Sequence, residues 1–373
     1  MRPFDVLVTG AGAVGGHALE FLARRPEVRR IAVVDVRADV AAGVAWRARL
    51  GALQEDREVT VQGFGLDLSD ADATRALIER LQPRVVFHTA TLLTVPEMAR
   101  GLTPDVFARV RADGMGGFLC GHLLLAVTLQ KELARLSPRP PMITAPFPDF
   151  TNQVLAKLGP APITGIGNVD NMACELQAIV SEKLDVAARD VTPMIVAHHS
   201  VGEWFQRSGS AGEAPWFARV YVDGKDVSEQ FDLTALMAES AARVRPVPQE
   251  QRTAASGVKA VLAVLRDNGC YLHSAGPLGR AGGWPARLWA DRLELVDVPG
   301  LDLQRAFDIN MAGQRAGGIE TIEADGTLVA TERCRTMMEE LFGVDVGRVA
   351  PDRIASTARA LRQALSSRIA SGT

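Results

Sequence analysis

Val6-Leu7-Val8-Thr9-Gly10-Ala11-Gly12-Ala13-Val14-Gly15-Gly16, followed by Ile31-Ala32-Val33-Val34-Asp35, decides the fold. A β-branched apolar run ends in Gly10, and Gly10, Gly12 and Gly15 form G-x-G-x-x-G. A helix-like segment from His17 to Arg25 comes next, then a second apolar run that closes on an acid twenty residues after Gly15. Each piece has a task in holding a dinucleotide. Gly10 permits the tight turn off the strand, Gly12 lets the backbone approach a pyrophosphate, and Gly15 lets the helix pack close to the strand. Ala13 and Val14 open that helix, whose amide-rich, positive end receives the phosphates. Asp35 accepts hydrogen bonds from both ribose hydroxyls and repels a 2′-phosphate, so NAD is the expected cofactor. Arg37 keeps NADP as the minority reading.

The first 145 residues continue this alternation. Val59 to Leu66 reads as a strand, Asp70 caps a helix through about Leu81, and Val85 to Ala90 is a buried strand after Pro83. A polar, proline-containing segment from Thr91 to Pro104 leads to a long helix ending near Leu136. Met142 to Pro146 is a further strand stopped by proline. Strands alternating with helices through short connections predict a doubly wound parallel sheet of the Rossmann type. Ligands lie beyond the carboxyl ends of such strands, which gathers Gly10 to Gly16, Thr89 to Arg100 and Ala145 to Phe147 around one crevice. Asp67 is expected near the adenine, and Thr89 and Ala90 near the nicotinamide.

The second half changes character. A helix from about Asn168 to Leu184, another from Arg252 to Arg266, and two hairpins at Asp223-Gly224 and Asp325-Gly326 are expected. Ala286 to Val298 is strand-like, Gly276 to Pro285 is a loop, and Asp352 to Leu365 is an amphipathic helix. The predicted division is an NAD-binding Rossmann domain at 1–145 and an α+β substrate domain at 146–373.

The 373 residues carry a formal net charge of −3 with both signs interspersed, which gives no basic footprint for nucleic acid. No stretch of about 18 apolar residues exists, and the first strand begins almost at once, so no membrane partner and no signal peptide are expected. Cys120, Cys174, Cys270 and Cys334 are scattered without C-x-x-C spacing. They read as reduced thiols of a cytoplasmic protein, and no metal site is expected from them.

His198 and His199 follow the apolar strand Met194 to Ala197, and Asn168-Val169-Asp170 opens a helix upstream. A histidine oriented by an acid from another element suits dehydrogenation: the imidazole takes a hydroxyl proton while the carboxylate stabilises the imidazolium. The competing structural reading has Asp170 capping its helix and the histidines bonded to backbone. His17, His88 and His122 read as packing or local hydrogen-bonding residues.

Order and spacing of these motifs resemble the lactate/malate dehydrogenase superfamily, to which the NAD-dependent family-4 glycosidases are related. Leu93 to Arg100 looks like its mobile loop, Ile143 to Pro146 like its Asn-Pro strand, and Gly165 to Asp170 like its aspartate segment. Ser181 to His199 looks like the stretch reaching its catalytic histidine. The resemblance implies His199 as acid/base oriented by Asp170, Arg100 polarising the substrate as the loop closes, and a homodimer or larger homo-oligomer. His198 stands as the alternative base. An oligomer contact is expected on the apolar stretch Leu119 to Val127, unless that stretch faces the chain's own core.

Two departures bear on substrate. The family's carboxylate-gripping arginine, three residues after the aspartate, is Ala173 here, and the asparagine before proline is Ala145. Alanine offers no bidentate fork for a carboxylate. The expected substrate is therefore a small polyol, sugar or substituted hydroxy acid, with Asn168, Arg280, Trp284 and Ser256 (or Thr253) as candidate contacts. Three alternatives stay open. A metal-dependent glycosidase has against it that Gly167 stands where a ligand cysteine is needed. An extended short-chain dehydrogenase or epimerase is similar in the first 100 residues, but its Y-x-x-x-K matches only Tyr221 to Lys225, at a hairpin turn. An NAD-binding sensor would bind the cofactor without turnover.

Overall fold

Apolar β-branched residues fill the central strand, and the rest of the fold is laid out from it; the computed structural model describes residues 3–371. β1 (Val6–Thr9), α1 (Ala13–Ala23), β2 (Arg30–Asp35), α2 (Ala38–Leu53), β3 (Thr60–Gly65), α3 (Ala71–Leu81) and β4 (Val85–His88) alternate without exception. The Thr91–Pro104 segment is not merely a connection. Thr94 accepts from Glu97 N and Pro96 occupies the first turn, so a short helix forms, α4 (Val95–Gly101). The expected long helix is broken at Gly114, φ +125°, into α5 (Pro104–Asp113) and α6 (Leu119–Leu133). β5 (Met142–Thr144), α7 (Pro148–Leu158) and β6 (Thr164–Gly165) complete six parallel strands in the order β6-β5-β4-β1-β2-β3.

The chain continues as α8 (Asn168–Leu184), β7 (Val191–Val196), α9 (His199–Ser208), β8 (Phe217–Val222), β9 (Lys225–Asp226), α10 (Leu233–Val244), α11 (Glu250–Arg266), β10 (Cys270–Ala275), β11 (Gly283–Leu288) and β12 (Leu293–Leu295). α12 (Leu303–Ala316), β13 (Ile319–Ile322), β14 (Leu328–Ala330), α13 (Glu332–Phe342), β15 (Arg348–Val349) and α14 (Ile354–Ser371) close it. β10, β11 and β12 add antiparallel strands beyond β6, so the nine-stranded sheet draws on both sides of residue 145. Both Asp-Gly hairpins form, with Val222 paired to Lys225 and Ile322 to Leu328.

One apolar cluster lies under α1 and α11, built on Val6, Val8, Leu19, Ile31, Phe87 and Val261. Another joins α6 to the C-terminal elements through Phe118, Leu123, Met338 and Leu361. Leu119 to Val127 is consumed by this interior packing: Leu119, Cys120, Leu123 and Ala126 are buried within the chain. The apolar stretch is thus a core face, not a free oligomer surface. Among the described residues no single helix is long and apolar enough to cross a membrane.

Phe118 is fully buried and meets Phe342 edge to face at 5.1 Å. Phe118→Ala is expected to lower unfolding free energy by about 3–5 kcal/mol in urea titration, the cost of an unfilled aromatic site; a loss below about 1 kcal/mol would contradict this packing.

Candidate active site

The glycine loop has the shape its sequence demands. Gly10 sits at φ +91°, and a Cβ there would lie 2.8 Å from Ala90 N. A Cβ on Gly15 would lie 1.9 Å from the Gly10 carbonyl oxygen, so α1 packs on the turn only because that position is glycine. Gly12 is different: nothing lies within 4 Å of its missing Cβ, which leaves open space above the backbone. The first turn of α1, including Ala13, Val14 and Gly15, carries no acid. Asp35 closes β2 with Oδ2 accepting from Ala11 N at 2.9 Å and Oδ1 from Arg37 N at 3.0 Å. Thr89 Oγ1 donates to the Thr9 and Gly10 carbonyls at 2.9 and 3.1 Å, fastening the loop to the end of β4. Asp67 is exposed just beyond β3 and accepts from Ser69 N. An open glycine, a helix end without acids and an acid at the second strand form a cradle that suits a dinucleotide.

Across the crevice, β5 is followed by Ala145 and then Pro146-Phe147-Pro148-Asp149. Proline in the first turn and the acid after it start α7 directly at the sheet's carboxyl edge. Phe147 adopts φ +41° there, and its ring stacks on His199 at 5.3 Å and meets His122 at 4.3 Å. His198 caps α9 and His199 is its first residue. Both histidines are buried, and their rings are 4.6 Å apart.

The acid beside His199 is Asp149, not Asp170. His199 Nδ1 lies 3.6 Å from Asp149 Oδ2, and Asn168 Nδ2 donates to that same oxygen at 2.5 Å. Asp170 Oδ1 instead receives Lys259 Nζ at 2.5 Å and His273 N at 3.0 Å. Asn168 thus faces α7, while Asp170, two residues further on, faces α11 and β10. Asn168 itself is held at φ +40°, after Gly167 at φ +80°, and such conformations concentrate at functional sites.

The other expected contacts separate. Arg100 is exposed at the C-terminal end of α4, whose first turn, Val95 and Pro96, lines the cavity described below. Trp284 is a core residue, packed with Val196, Val298 and Ile309, and its Nε1 donates to the Ala281 carbonyl at 2.8 Å. Arg280 is exposed in a loop whose Gly279 packs on Ala156 of α7. Ser256 Oγ accepts from Gly167 N at 3.0 Å, so it shapes the turn before Asn168. Asp149 lies two residues beyond the Ala145 to Phe147 stretch that the sequence places at the crevice, and it was not singled out. The Pro-Phe-Pro-Asp helix start after a strand was the available signal.

A cavity of about 530 Å³ has Val14, Val95, Asn168, Met172, His199 and Thr253 on its walls. It therefore joins the glycine loop to the histidine. Arg252 also borders it, but its guanidinium is paired with Glu175. His199 turns Nδ1 to Asp149, which leaves Nε2 as the nitrogen for the cavity.

Burial governs the charges around this site. It holds the Asp149 carboxyl above its usual range, against the opposing pull of His199 and Asn168. His198 is kept neutral well below the usual imidazole value by burial and by His199. His122, which shares a 2.8 Å hydrogen bond with Thr91 Oγ1, is pushed down to about 3 in the same way.

The amino-terminal part matches the model of the NAD-dependent epimerase/dehydratase family over residues 6–114. No curated protein matches the sequence. Among solved structures, the chain is similar to Cryptosporidium parvum lactate dehydrogenase complexed with lactic acid and nicotinamide adenine dinucleotide. Identity there is 16%, TM-score 0.59, with 85% of this chain and 98% of that one covered. Malate dehydrogenase of Plasmodium falciparum in complex with NADH aligns at 15% identity and TM-score 0.56, covering 83% and 97%. The Archaeoglobus fulgidus malate dehydrogenase–NADH complex gives 18% and 0.56, covering 84% and 98%. The chain has the lactate/malate dehydrogenase fold.

The epimerase match ends before any catalytic Y-x-x-x-K. In this chain Tyr221 and Lys225 stand on β8 and β9, across a turn, with Tyr221 paired to Asp226. They share no helix face.

Four buried histidines set an acid limit. His88 and His122 are pushed from 6.5 to about 3, His273 to about 4, and His198 also downward, each chiefly by burial. Unfolding returns them to ordinary values, so between about pH 4 and 6.5 the unfolded chain binds more protons. Their stabilising effect is complete above pH 6.5 and is lost as pH falls below it. The raised carboxyls of Asp149 and Glu175 act in the opposite sense, but they are outnumbered. Urea midpoints should fall steadily from pH 7 to pH 5, and His122→Gln should flatten the slope; a profile level over that range would refute the buried neutral state.

Proposed function

We propose that the protein is an NAD-dependent oxidoreductase that interconverts a hydroxyl and a ketone on a small metabolite. The observation that carries this reading is the single cavity with Val14 of the glycine loop on one wall and His199, backed by Asp149, on another. The fold is shared with malate and lactate dehydrogenases whose structures hold NADH or NAD, which supports the same cofactor here. Gly10, Gly12 and Gly15 with the start of α1 would hold its pyrophosphate, and Asp35 its adenosine ribose. When bound, NAD supplies the acceptor for a hydride.

The chain's own residues manage the proton. His199 Nε2 takes the hydroxyl proton as the carbonyl forms, and Asp149, 3.6 Å from Nδ1, stabilises the imidazolium. A buried carboxyl held above its usual range is released from that penalty when a cation forms beside it. Asn168 fixes the carboxylate by donating to Oδ2. His199 is only 6% exposed, so water is largely kept from the pair and their attraction is strong.

The walls favour a neutral alcohol, such as a polyol or sugar, over a simple 2-hydroxy acid. Arg252, the one lysine or arginine among the residues lining the cavity, is committed to Glu175, and Glu250 adds a carboxylate. Ala173 lies on the far face of α8, on a separate depression with Asp170 and Lys259. A screen of alcohols and hydroxy acids with NAD, read by NADH absorbance, tests the reading. Clear preference for lactate or malate would overturn the substrate class, and binding of NAD with no turnover of any substrate would favour a sensor.

His199→Asn is expected to lower kcat by about two to four orders of magnitude while NADH binding, read by fluorescence, survives. Asp149→Asn should lower kcat in the same direction, whereas Asp170→Asn should act on stability alone. Equal kcat losses in the Asp149 and Asp170 variants would contradict the assignment.

Titration with NADH and NADPH separates the Asp35 role. NADPH is expected to bind at least tenfold more weakly, because a carboxylate facing the ribose repels the added phosphate. Tighter NADPH binding would mean that exposed Arg37 dominates.

A further inference from the structure

We propose that Asp149, His198 and His199 form a binding site for one divalent transition-metal ion, of the zinc or cobalt type. One nitrogen from each imidazole and one carboxylate oxygen lie within 4.8 Å of one another. All three side chains are buried, and Asp149 Oδ1, His198 Nε2 and His199 Nδ1 each have no hydrogen-bond partner. Buried polar atoms are rarely left unpaired, because each then forfeits its hydration without compensation. Each of the three residues of this one cluster carries such an atom, which marks a place for a common partner.

Charge gives the same answer. Asp149 has no lysine or arginine against it among the described residues; its side-chain partners are Asn168 and His199. A buried carboxylate without a cation is unfavourable, and a divalent ion supplies the missing charge. Two imidazoles and a carboxylate, without a thiolate, suit zinc, cobalt or iron(II) and leave coordination positions open.

The surroundings prepare these atoms as ligands. Asn168 Nδ2 occupies Oδ2 of Asp149 and leaves Oδ1 available. His198 Nδ1 lies 3.2 Å from Ser200 Oγ, which donates onward to the Gly313 carbonyl at 3.0 Å. That chain accepts the Nδ1 proton and leaves the Nε2 lone pair for an ion, as outer partners of metal-bound histidines do. The contact of Ser200 N with the same Nδ1, at 3.3 Å, belongs to the other tautomer, and an ion selects between the two. This inference goes beyond the dehydrogenase reading and stands without it, since binding is read without turnover. An ion on His199 Nδ1 keeps the proton on Nε2, so the ion-bound form is not the form that accepts a proton from substrate.

The test uses the full chain, stripped with chelator and titrated with Co²⁺. Expected are a visible d–d band, a stoichiometry of one ion per chain by calorimetry, and a rise in thermal midpoint. His198→Gln and Asp149→Asn should each weaken binding at least tenfold. Asn168→Ala, which removes an outer partner only, should weaken it by about 10–100-fold and serves where a ligand variant fails to fold. Cys174→Ser should leave the band unchanged, because that thiol is exposed and outside the cluster. Absence of the band in the wild-type chain, or its persistence at full strength in His198→Gln or its loss in Cys174→Ser, overturns the proposal.

Discussion

Everything at the site hangs on the approach of α1 to the end of β1. A side chain at Gly15 would collide with the Gly10 carbonyl at 1.9 Å, and one at Gly10 with the backbone of Ala90. Thr89 then ties the turn down by donating to the carbonyls of Thr9 and Gly10. These contacts draw the ends of β1 and β4 together at the point where the strand order reverses, which is where a parallel sheet opens a crevice. The same approach aims the amides of α1 at empty space above Gly12. A cofactor cradle and the centre of the core are therefore one constraint, and neither survives loss of the other.

The opposite wall rests on a second approach of the same kind. Gly313 of α12 admits the Cβ of His198, which would lie 2.3 Å from any side-chain carbon placed there. Ser200 fixes the ring from below, and Phe150 meets it at 4.7 Å from the side. His199 is thereby carried to the first position of α9 with one face against Phe147. The polar cluster sits among aromatic rings rather than water, and this is why burial dominates the behaviour of all its titratable groups.

Legibility in the sequence followed locality. The glycine loop, Asp35, the Asp70 cap and both Asp-Gly hairpins depend on residues a few positions apart, and each formed where its residues required. The break at Gly114 was invisible to apolar periodicity, because buried apolar residues continue across it at Val110, Met115 and Phe118, from the end of α5 to the start of α6. α7 was missed because Pro146 reads as the end of a strand, whereas Pro148 in fact begins a helix. That omission removed Asp149 from view. Trp284 and Arg280 illustrate the reverse error: a glycine-rich loop suggests a pocket wall, but β11 pairing places Trp284 in the core, and Arg280 stays on the surface.

The exchange of Asp170 for Asp149 shows why order along the chain does not determine geometry. Both acids stand in the first turn of a helix at the crevice. What separates them is the direction each helix turns its first residues. Lys259 on α11 offers Asp170 a cation, so that acid is neutralised away from the cavity. Asp149 has only an amide and an imidazole, and no basic side chain competes for it. An acid left without a fixed cation is the one able to respond when its histidine becomes charged, or when an ion arrives. The distribution of lysine and arginine around the crevice, more than the position of the carboxylates, therefore decides which acid is left beside an imidazole without a fixed cation.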